Sequence, residues 1–278
     1  EKYTKDKLKI LKTGTVEQLI LKKKGDDLRI DWGYLYVAAA SPNVTQRVSS
    51  LVPANPFQDS PKEVFGGKSL FMNTLADLKW VGQTPKEQLF LIGYDDLYSI
   101  QYFNTNLRPW WNADGKTTIE QQLIAAHKDY SQVIKKCEFI NQKVRQDALK
   151  AGGENYAKLC EMAYRQSIAA HKLVKSPDGE ILFLSKENYS NGSINTVDVT
   201  YPSAPMFLAY NPDLLKGMLN GIFEYSESGK FTKPFAAHDL GTYPLANGQT
   251  YPHDMPVEES GNMLILTAAI CKMEGNID

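Results

Sequence analysis

About a hundred residues into this chain the apolar residues change their spacing, from every second position to every third or fourth. That change limits the fold to strands first and helices afterwards. Before it, Leu28, Ile30, Trp32, Tyr34 and Tyr36 alternate along one face, Thr15 to Leu21 is β-rich, and Gly25-Asp26-Asp27 reads as a turn. A loop punctuated by Pro42, Pro53, Pro56 and Pro61 follows, then candidate strands at 70–81 and 88–94, separated by Gln83-Thr84-Pro85. The pattern is that of part of an antiparallel sandwich. Residues 104–112, with Arg108-Pro109-Trp110-Trp111, read as the crossing between two regions.

Beyond the crossing, Thr117 and Glu120 have capping-box spacing, and Ile119, Leu123, Ala126, Tyr130, Ile134, Cys137 and Val144 continue at helical intervals. Ala151-Gly152-Gly153 closes this helix. A second is expected over 156–174, before the turn Ser176-Pro177-Asp178-Gly179 and a short apolar strand at 181–184. Tyr201-Pro202-Ser203-Ala204-Pro205 leads into a third helical region. Asn211 and Pro212 start a helix that runs to Ser228-Gly229, and a last helix is expected over 262–273, closed by Gly275. The expected class is α+β, with a β-sandwich-like region at 1–105 and a helical-hairpin (α/α toroid) domain at 106–278. A closed ring of six hairpins would need about twice this helical length, at roughly 11 to 12 residues per helix. The helical domain is therefore expected to be incomplete, as an open half-toroid or as part of a longer chain. Exposed apolar helix faces would then call for a homo-oligomer or for the missing half of a parent chain.

Composition excludes several classes. With 278 residues the chain can bury a sizeable core, and a net charge of -1 gives no reason to expect nucleic acid or an anionic membrane as partner. No apolar run approaches the roughly 20 residues that span a bilayer. Glu1 is not an initiator and no signal peptide opens the chain, so a mature or trimmed chain is expected. The lysines of residues 2–12 and 22–24 read as a solvated edge-strand face. Cys137, Cys160 and Cys271 have no paired spacing and read as buried free thiols. Asn43, Asn188 and Asn191 head Asn-x-Ser/Thr sequences, which matter only on a eukaryotic secretory route.

The chemistry concentrates between Pro234 and Asn262, a stretch with four prolines and three glycines and neither helical nor strand period. Long connections of this kind inside a compact domain are usually functional or disordered, and Phe235, Tyr243, Tyr251 and Met255 offer anchors that favour order. It holds His238-Asp239, His253-Asp254 and Glu258-Glu259. The glutamates fall at the start of the last helix, where free N–H groups favour negative charge. Neighbouring helical positions point ~100° apart, so only one of the two can face a given cavity. Asp239 is the natural second carboxylate, and two carboxylates on opposed loops suffice for acid/base hydrolysis. A metal site from His238, Asp239, His253, Asp254 and Glu258 has no supporting spacing, so neither metal nor other cofactor is expected. His127 and His171 read as packing residues, and Asp95-Asp96 as a turn or a strand-end carboxylate pair. Phe65-Gly66-Gly67-Lys68-Ser69 lacks the leading glycine of a phosphate loop. Trp110 and Trp111 read as core aromatics or a sugar-like platform. There is no GxSxG elbow, no Ser-x-x-Lys and no Cys beside a His, which excludes the familiar serine and cysteine amidases.

Several segments resemble the glutaminase A family of fungi and gut bacteria: Ala163-Tyr164-Arg165-Gln166, Ala169-Ala170-His171-Lys172, Leu184-Ser185-Lys186-Glu187-Asn188 and Asn191-Gly192-Ser193. So do Val197-Asp198-Val199-Thr200-Tyr201-Pro202, His238-Asp239-Leu240-Gly241-Thr242-Tyr243-Pro244 and the run from Met255 to Met263. Upstream, the run from Gly25 to Gly33 and Leu107-Arg108-Pro109-Trp110-Trp111 also fit. The resemblance implies a sandwich-like region before a six-hairpin helical domain, hydrolysis of L-glutamine to glutamate and ammonia, and an exported, extracytoplasmic protein. In the family the helical domain continues past the position of Asp278, with further acidic loop residues.

The expected function is thus a hydrolase acting on a small molecule. Asp239 and one of Glu258 and Glu259 would serve as acid and base, and His238 and Asn262 would orient or polarise the substrate. Arg165 and Lys186 would neutralise a substrate carboxylate, and Trp110 would line the substrate site. Two alternatives stay open: an inverting glycoside hydrolase of the (α/α)6 type, with carboxyls roughly 6.5–9.5 Å apart, and a non-catalytic carbohydrate- or protein-binding module.

Overall fold

The structure, a computed structural model, describes residues 1–25, 30–52, 54–55, 61–187 and 189–277. The expected turn at Asp26-Asp27, together with Leu28, Pro53, Pro56 and Asn188, lies outside the described residues. The chain forms two compact units, one of Glu1–Gln18, Trp32–Asp96 and Lys116–Lys135, the other of Leu19–Asp31, Leu97–Gly115 and Lys136–Asp278.

The first unit is mostly strands in small sheets. Its strands are β1 (Lys2–Lys5), β2 (Leu8–Gly14), β3 (Tyr34–Ala39), β4 (Val44–Ser49), β5 (Phe71–Ala76) and β6 (Leu91–Asp95). A four-stranded antiparallel sheet runs β1-β2-β3-β6, and β4 pairs with β5 in a second sheet that packs against β1 and β2. Leu8 and Ile10 of β2 are buried, as are Trp32 and Tyr36, and the Trp32 indole N–H donates to the Asp96 carbonyl at 2.8 Å. The β-rich stretch 15–21 is not a strand. The Thr15 hydroxyl bonds the Glu17 carbonyl at 2.7 Å, and the Gln18 amide bonds the Thr15 carbonyl at 2.8 Å, so side chains take up backbone groups that a ladder would need.

The second unit opens with the hairpin β7 (Ile100–Tyr102) and β8 (Thr105–Leu107) and a single 3-10 turn at Trp110–Asn112. α1 (Ile119–Ala169) starts in the first unit and is broken at Gly153, whose φ of +77° a side chain would resist. Beyond the break the helix folds back, which brings Glu154 to 2.6 Å and Glu161 to 3.3 Å from Arg145. The expected helix over 156–174 ends early. Residues 171–175 are instead β9 (His171–Lys175), paired antiparallel with β10 (Ile181–Ser185). The Ser176–Gly179 turn brings that apolar partner alongside, and ladder bonds outweigh the local helical period. α2 (Val197–Tyr210), α3 (Pro212–Glu227), β11 (Leu245–Ala246) and α4 (Pro256–Glu274) complete the unit.

The core centres on α3. Leu215, Met218, Leu219, Ile222 and Tyr225 form its buried stripe, and it lies on the β9–β10 hairpin. A Cβ on Gly217 would come within 2.7 Å of Ile181 Cγ2, so glycine permits this approach. α2 packs on α4, which sets the first turns of those two helices, carrying Asp198 and Glu259, in one neighbourhood. The three cysteines are free but not buried: Cys137 is exposed and the other two are partly so. Cys137 sits within residues 131–139 of α1, all of which are exposed, so burial is not open to it there. Among the described residues, no helix is long and apolar enough to cross a membrane.

His171 shows what burial does to a titratable group in this core. Its ring stacks on Phe183 with centroids 4.3 Å apart and meets Phe207 edge-on. Burial pushes its pKa down, against a smaller opposing effect of the Ser167 carbonyl. The unfolded chain takes up a proton near the ordinary pKa of about 6.5 while the folded chain resists it, so stability falls as pH drops through and below that value. In calorimetry, His171→Phe is expected to shrink the loss of Tm between about pH 7.5 and pH 5.5. An unchanged loss would show that His171 is not a source of acid sensitivity.

Candidate functional site

Between α3 and α4 runs the long connector, whose only regular element is β11. One carboxylate gathers much of its backbone. Asp239 is fully buried, and its Oδ1 accepts from the Gly241 N–H at 2.8 Å, the Thr250 N–H at 3.0 Å and the Thr250 hydroxyl at 3.4 Å. Its Oδ2 accepts from the Tyr251 N–H at 3.1 Å and faces His238 Nδ1 at 3.1 Å. All of these partners can donate, which suits a group that only accepts. The connector is pinned at its edge as well: the Leu240 N–H bonds the Ile194 carbonyl at 2.9 Å and the Ile194 N–H bonds the Gly241 carbonyl at 2.8 Å. Gly241 is required there, since its φ is +140° and a Cβ would meet the Leu245 carbonyl at 2.2 Å.

This frame fixes the His238 ring. Asp239 holds one face of its chemistry through Nδ1, Gln249 accepts from the His238 N–H at 2.9 Å, and the Tyr251 ring stacks on the imidazole at 4.2 Å. The opposite nitrogen, Nε2, lies 3.9 Å from Glu259 Oε1. Glu259 is 0 % exposed, and among the described residues neither of its carboxylate oxygens finds a partner in hydrogen-bond geometry. Asp198 Oδ1 is in the same state. One ligand atom each from Asp198, His238 and Glu259 lie within 4.8 Å of one another, so these three are the residues that could hold a metal ion.

The electrostatics follow from that crowding. Burial, then the Asp198 charge, pushes the Glu259 carboxyl up to about 7, with Glu258 adding to the shift and His238 and the nearby Asp198 main-chain N–H opposing it. Burial alone would lower the His238 pKa, but the bond and charge of Asp239, then Asp198 and Glu259, carry it above its ordinary value. A buried carboxylate with no well-formed hydrogen bond is stabilised by a proton or a cation beside it. Chemically, the trio can hold a water between two carboxylates and an imidazole.

Residues 153–278 match the model of the Glutaminase A six helical-hairpin domain, and residues 1–147 match that of a domain of unknown function, DUF5127. The chain belongs to the glutaminase A family. It is 36 % identical over 194 residues to Glutaminase A of Aspergillus oryzae, covering 67 % of this chain and 28 % of that protein. It is 39 % identical over 135 residues to a probable glutaminase of Arthroderma benhamiae, covering 48 % of this chain and 15 % of that protein. The matched part thus spans less than a third of either relative's length.

Within this family member the candidates named from sequence fall into separate places. His238, Asp239 and Glu259 come together, and Asn262 is buried three residues beyond Glu259, on the same side of α4. Glu258 is exposed. Arg165 is exposed in a groove of α1 lined by Val144, Met162 and Ile168, and Trp110 is 39 % exposed beneath the Lys175 ammonium, 5.2 Å from its ring centre. Lys186 bridges to Ile194 and lies 5.6 Å from the Tyr243 ring centre. Of the five residues weighed for a metal from sequence, only His238 belongs to the trio: the Asp239 oxygens are engaged, Asp254 pairs with Lys233, and His253 and Glu258 are exposed. Asp198 was missed. An acid in the first turn of a helix has an ordinary explanation in the helix dipole, and nothing local marks this one as different.

Opposite stability effects follow for the two buried carboxylates in chelator-treated protein. Glu259→Gln replaces an unpartnered charge with an amide that can donate to Asp198 or His238, and is expected to raise Tm by ~3 °C or more. Asp239→Asn sets an N–H against N–H donors and is expected to cost roughly 2–4 kcal/mol. Scanning calorimetry that finds both variants destabilised alike would contradict this division of roles.

Proposed function

We propose that this chain carries the hydrolytic centre of an amidohydrolase that cleaves L-glutamine to L-glutamate and ammonia. The observation that carries the reading is Glu259: a fully buried glutamate with both oxygens unpartnered, facing a second carboxylate and an imidazole. Protein interiors do not keep such a group without compensation, and sites for catalysis are where they do. The names of the relatives supply the substrate class.

In this reading a water sits among Asp198, His238 and Glu259. The carboxylates draw its proton as the oxygen attacks the amide carbonyl, and a proton is returned to the departing ammonia, with no covalent intermediate. Asn262, one turn along α4, polarises the carbonyl or orients the substrate. Asp239 acts through His238 and is a positioning residue. Of the α4 pair, Glu259 is the acting one. Lys186, near the loop edge, is the better placed of the two candidate cations for a substrate carboxylate, since Arg165 and Trp110 stand on outer surfaces. The approach of the ligand atoms within 4.8 Å disfavours an inverting glycosidase, which needs carboxyls roughly 6.5–9.5 Å apart. The division near residue 105, the extracytoplasmic location, and cover for the exposed Leu264 and Ile265 of α4 by further hairpins or a second copy belong to the same proposal.

Ammonia release from L-glutamine is expected to fall about 100-fold or more in Glu259→Gln and in Asp198→Asn, and to stay within about twofold in Glu258→Gln. Wild-type rates in the Glu259→Gln, Asp198→Asn double variant would remove both residues from the mechanism. Turnover of aryl glycosides without ammonia release would move the assignment to a glycosidase, and saturable binding without turnover to a binding module.

A further inference from the structure

We infer that Asp198, His238 and Glu259 form a binding site for one divalent transition-metal cation of the Mn²⁺ or Zn²⁺ class. The inference rests on the hydrolase reading only for what the ion does, not for whether it binds.

Four observations support it. The three ligand atoms lie within 4.8 Å of one another, on the first turns of α2 and α4 and on the connector. Glu259, with no exposed surface, has both oxygens unpartnered and its Oε1 3.9 Å from His238 Nε2, and Asp198 Oδ1 is unpartnered as well. A proton on Glu259 would satisfy one oxygen and leave the other, and Asp198, as they are. A cation satisfies all of them at once. Among the described residues no lysine or arginine pairs with Glu259, so the chain supplies no internal counter-ion but the imidazole.

His238 is held as a ligand is held. Asp239 engages Nδ1 at 3.1 Å, which leaves Nε2 aimed at Glu259 from 3.9 Å. Carboxylate behind, imidazole in the middle and metal in front is the arrangement that fixes tautomer and ring orientation at metal sites. The donor set is one imidazole and two carboxylates, intermediate between the sulfur- and nitrogen-rich sites of soft ions and the all-oxygen sites of Ca²⁺ and Mg²⁺. Metal–ligand bonds of roughly 2.0–2.2 Å set tetrahedral ligand atoms about 3.3–3.6 Å apart, closer than the 3.9 Å now between His238 Nε2 and Glu259 Oε1. That contraction ties the starts of α2 and α4 together, so binding should stabilise the fold. Three protein ligands leave a position open for water, whose proton is lost more readily on a cation than in bulk.

The test is titration calorimetry with MnCl₂ and, separately, ZnCl₂, on chelator-treated and desalted protein. One equivalent is expected to bind, with a rise in Tm. Asp239→Asn is expected to weaken binding roughly 10- to 100-fold, and Glu259→Gln and Asp198→Asn more than that. His253→Ala, at an exposed imidazole outside the trio, should bind as the wild type does. X-ray absorption on the metal-loaded wild type adds a readout that needs no variant to fold: one imidazole in an otherwise oxygen shell is expected. No stoichiometric binding of either ion, binding unaltered by Glu259→Gln, or a shell without imidazole would overturn the inference. Turnover of L-glutamine by metal-free protein that binds neither ion would overturn it while leaving the hydrolase reading intact. Stoichiometric binding without turnover would do the reverse.

Discussion

The Asp239 carboxylate is the fixture on which the rest of the second unit's chemistry depends. The connector between α3 and α4 has almost no ladder or helix to absorb its backbone groups, and unpaired N–H groups in a buried segment are costly. Asp239 collects three of them, at Gly241, Thr250 and Tyr251, and a hydroxyl besides. One side chain thereby does for an irregular segment what a neighbouring strand does for a sheet. His238 is the neighbour in sequence, so fixing Asp239 also fixes the imidazole and the direction of its free nitrogen.

What that nitrogen faces has the opposite character. Asp239 is well supplied with donors, while both Glu259 oxygens and Asp198 Oδ1 lack a hydrogen-bond partner among the described residues. The two environments lie on either side of a single imidazole ring. A satisfied carboxylate on one side and an unsatisfied pair on the other give the ring a rigid back and a reactive front. Stability is concentrated in the first and given up in the second, as is usual where a protein breaks its own packing rules for chemistry. Packing of α2 on α4 assembles the reactive side, since each helix brings one acid in its first turn.

Much of this was legible from residue order alone, and the exceptions have particular causes. The change of period marked strands before helices, and Asn211-Pro212 and Gly275 marked helix boundaries that α3 and α4 use. α4 begins at Pro256 rather than at 262, because proline at a first helical position costs no hydrogen bond and the acids behind it suit the first turn. β9 was hidden inside a helical pattern, since its stability comes from β10 across a turn rather than from its own residues. At the site, the geometry of adjacent helical positions limited the glutamate pair to one inward member, and Glu259 is the one buried. The cage around Asp239 left no trace in the sequence, because its donors are main-chain groups that any residue carries. Asp198 was equally silent, as the first turn of a helix is where acids are ordinary.

Asp239 holds the connector and presents the far side of His238 to Glu259. Site-resolved hydrogen exchange measures this directly. The amides of Gly241, Thr250 and Tyr251, in a segment whose one strand is only two residues long, should exchange as slowly as those of the buried stripe of α3. Exchange of all three at the rate of exposed loop amides would mean that no carboxylate holds them, and the site as described would not exist.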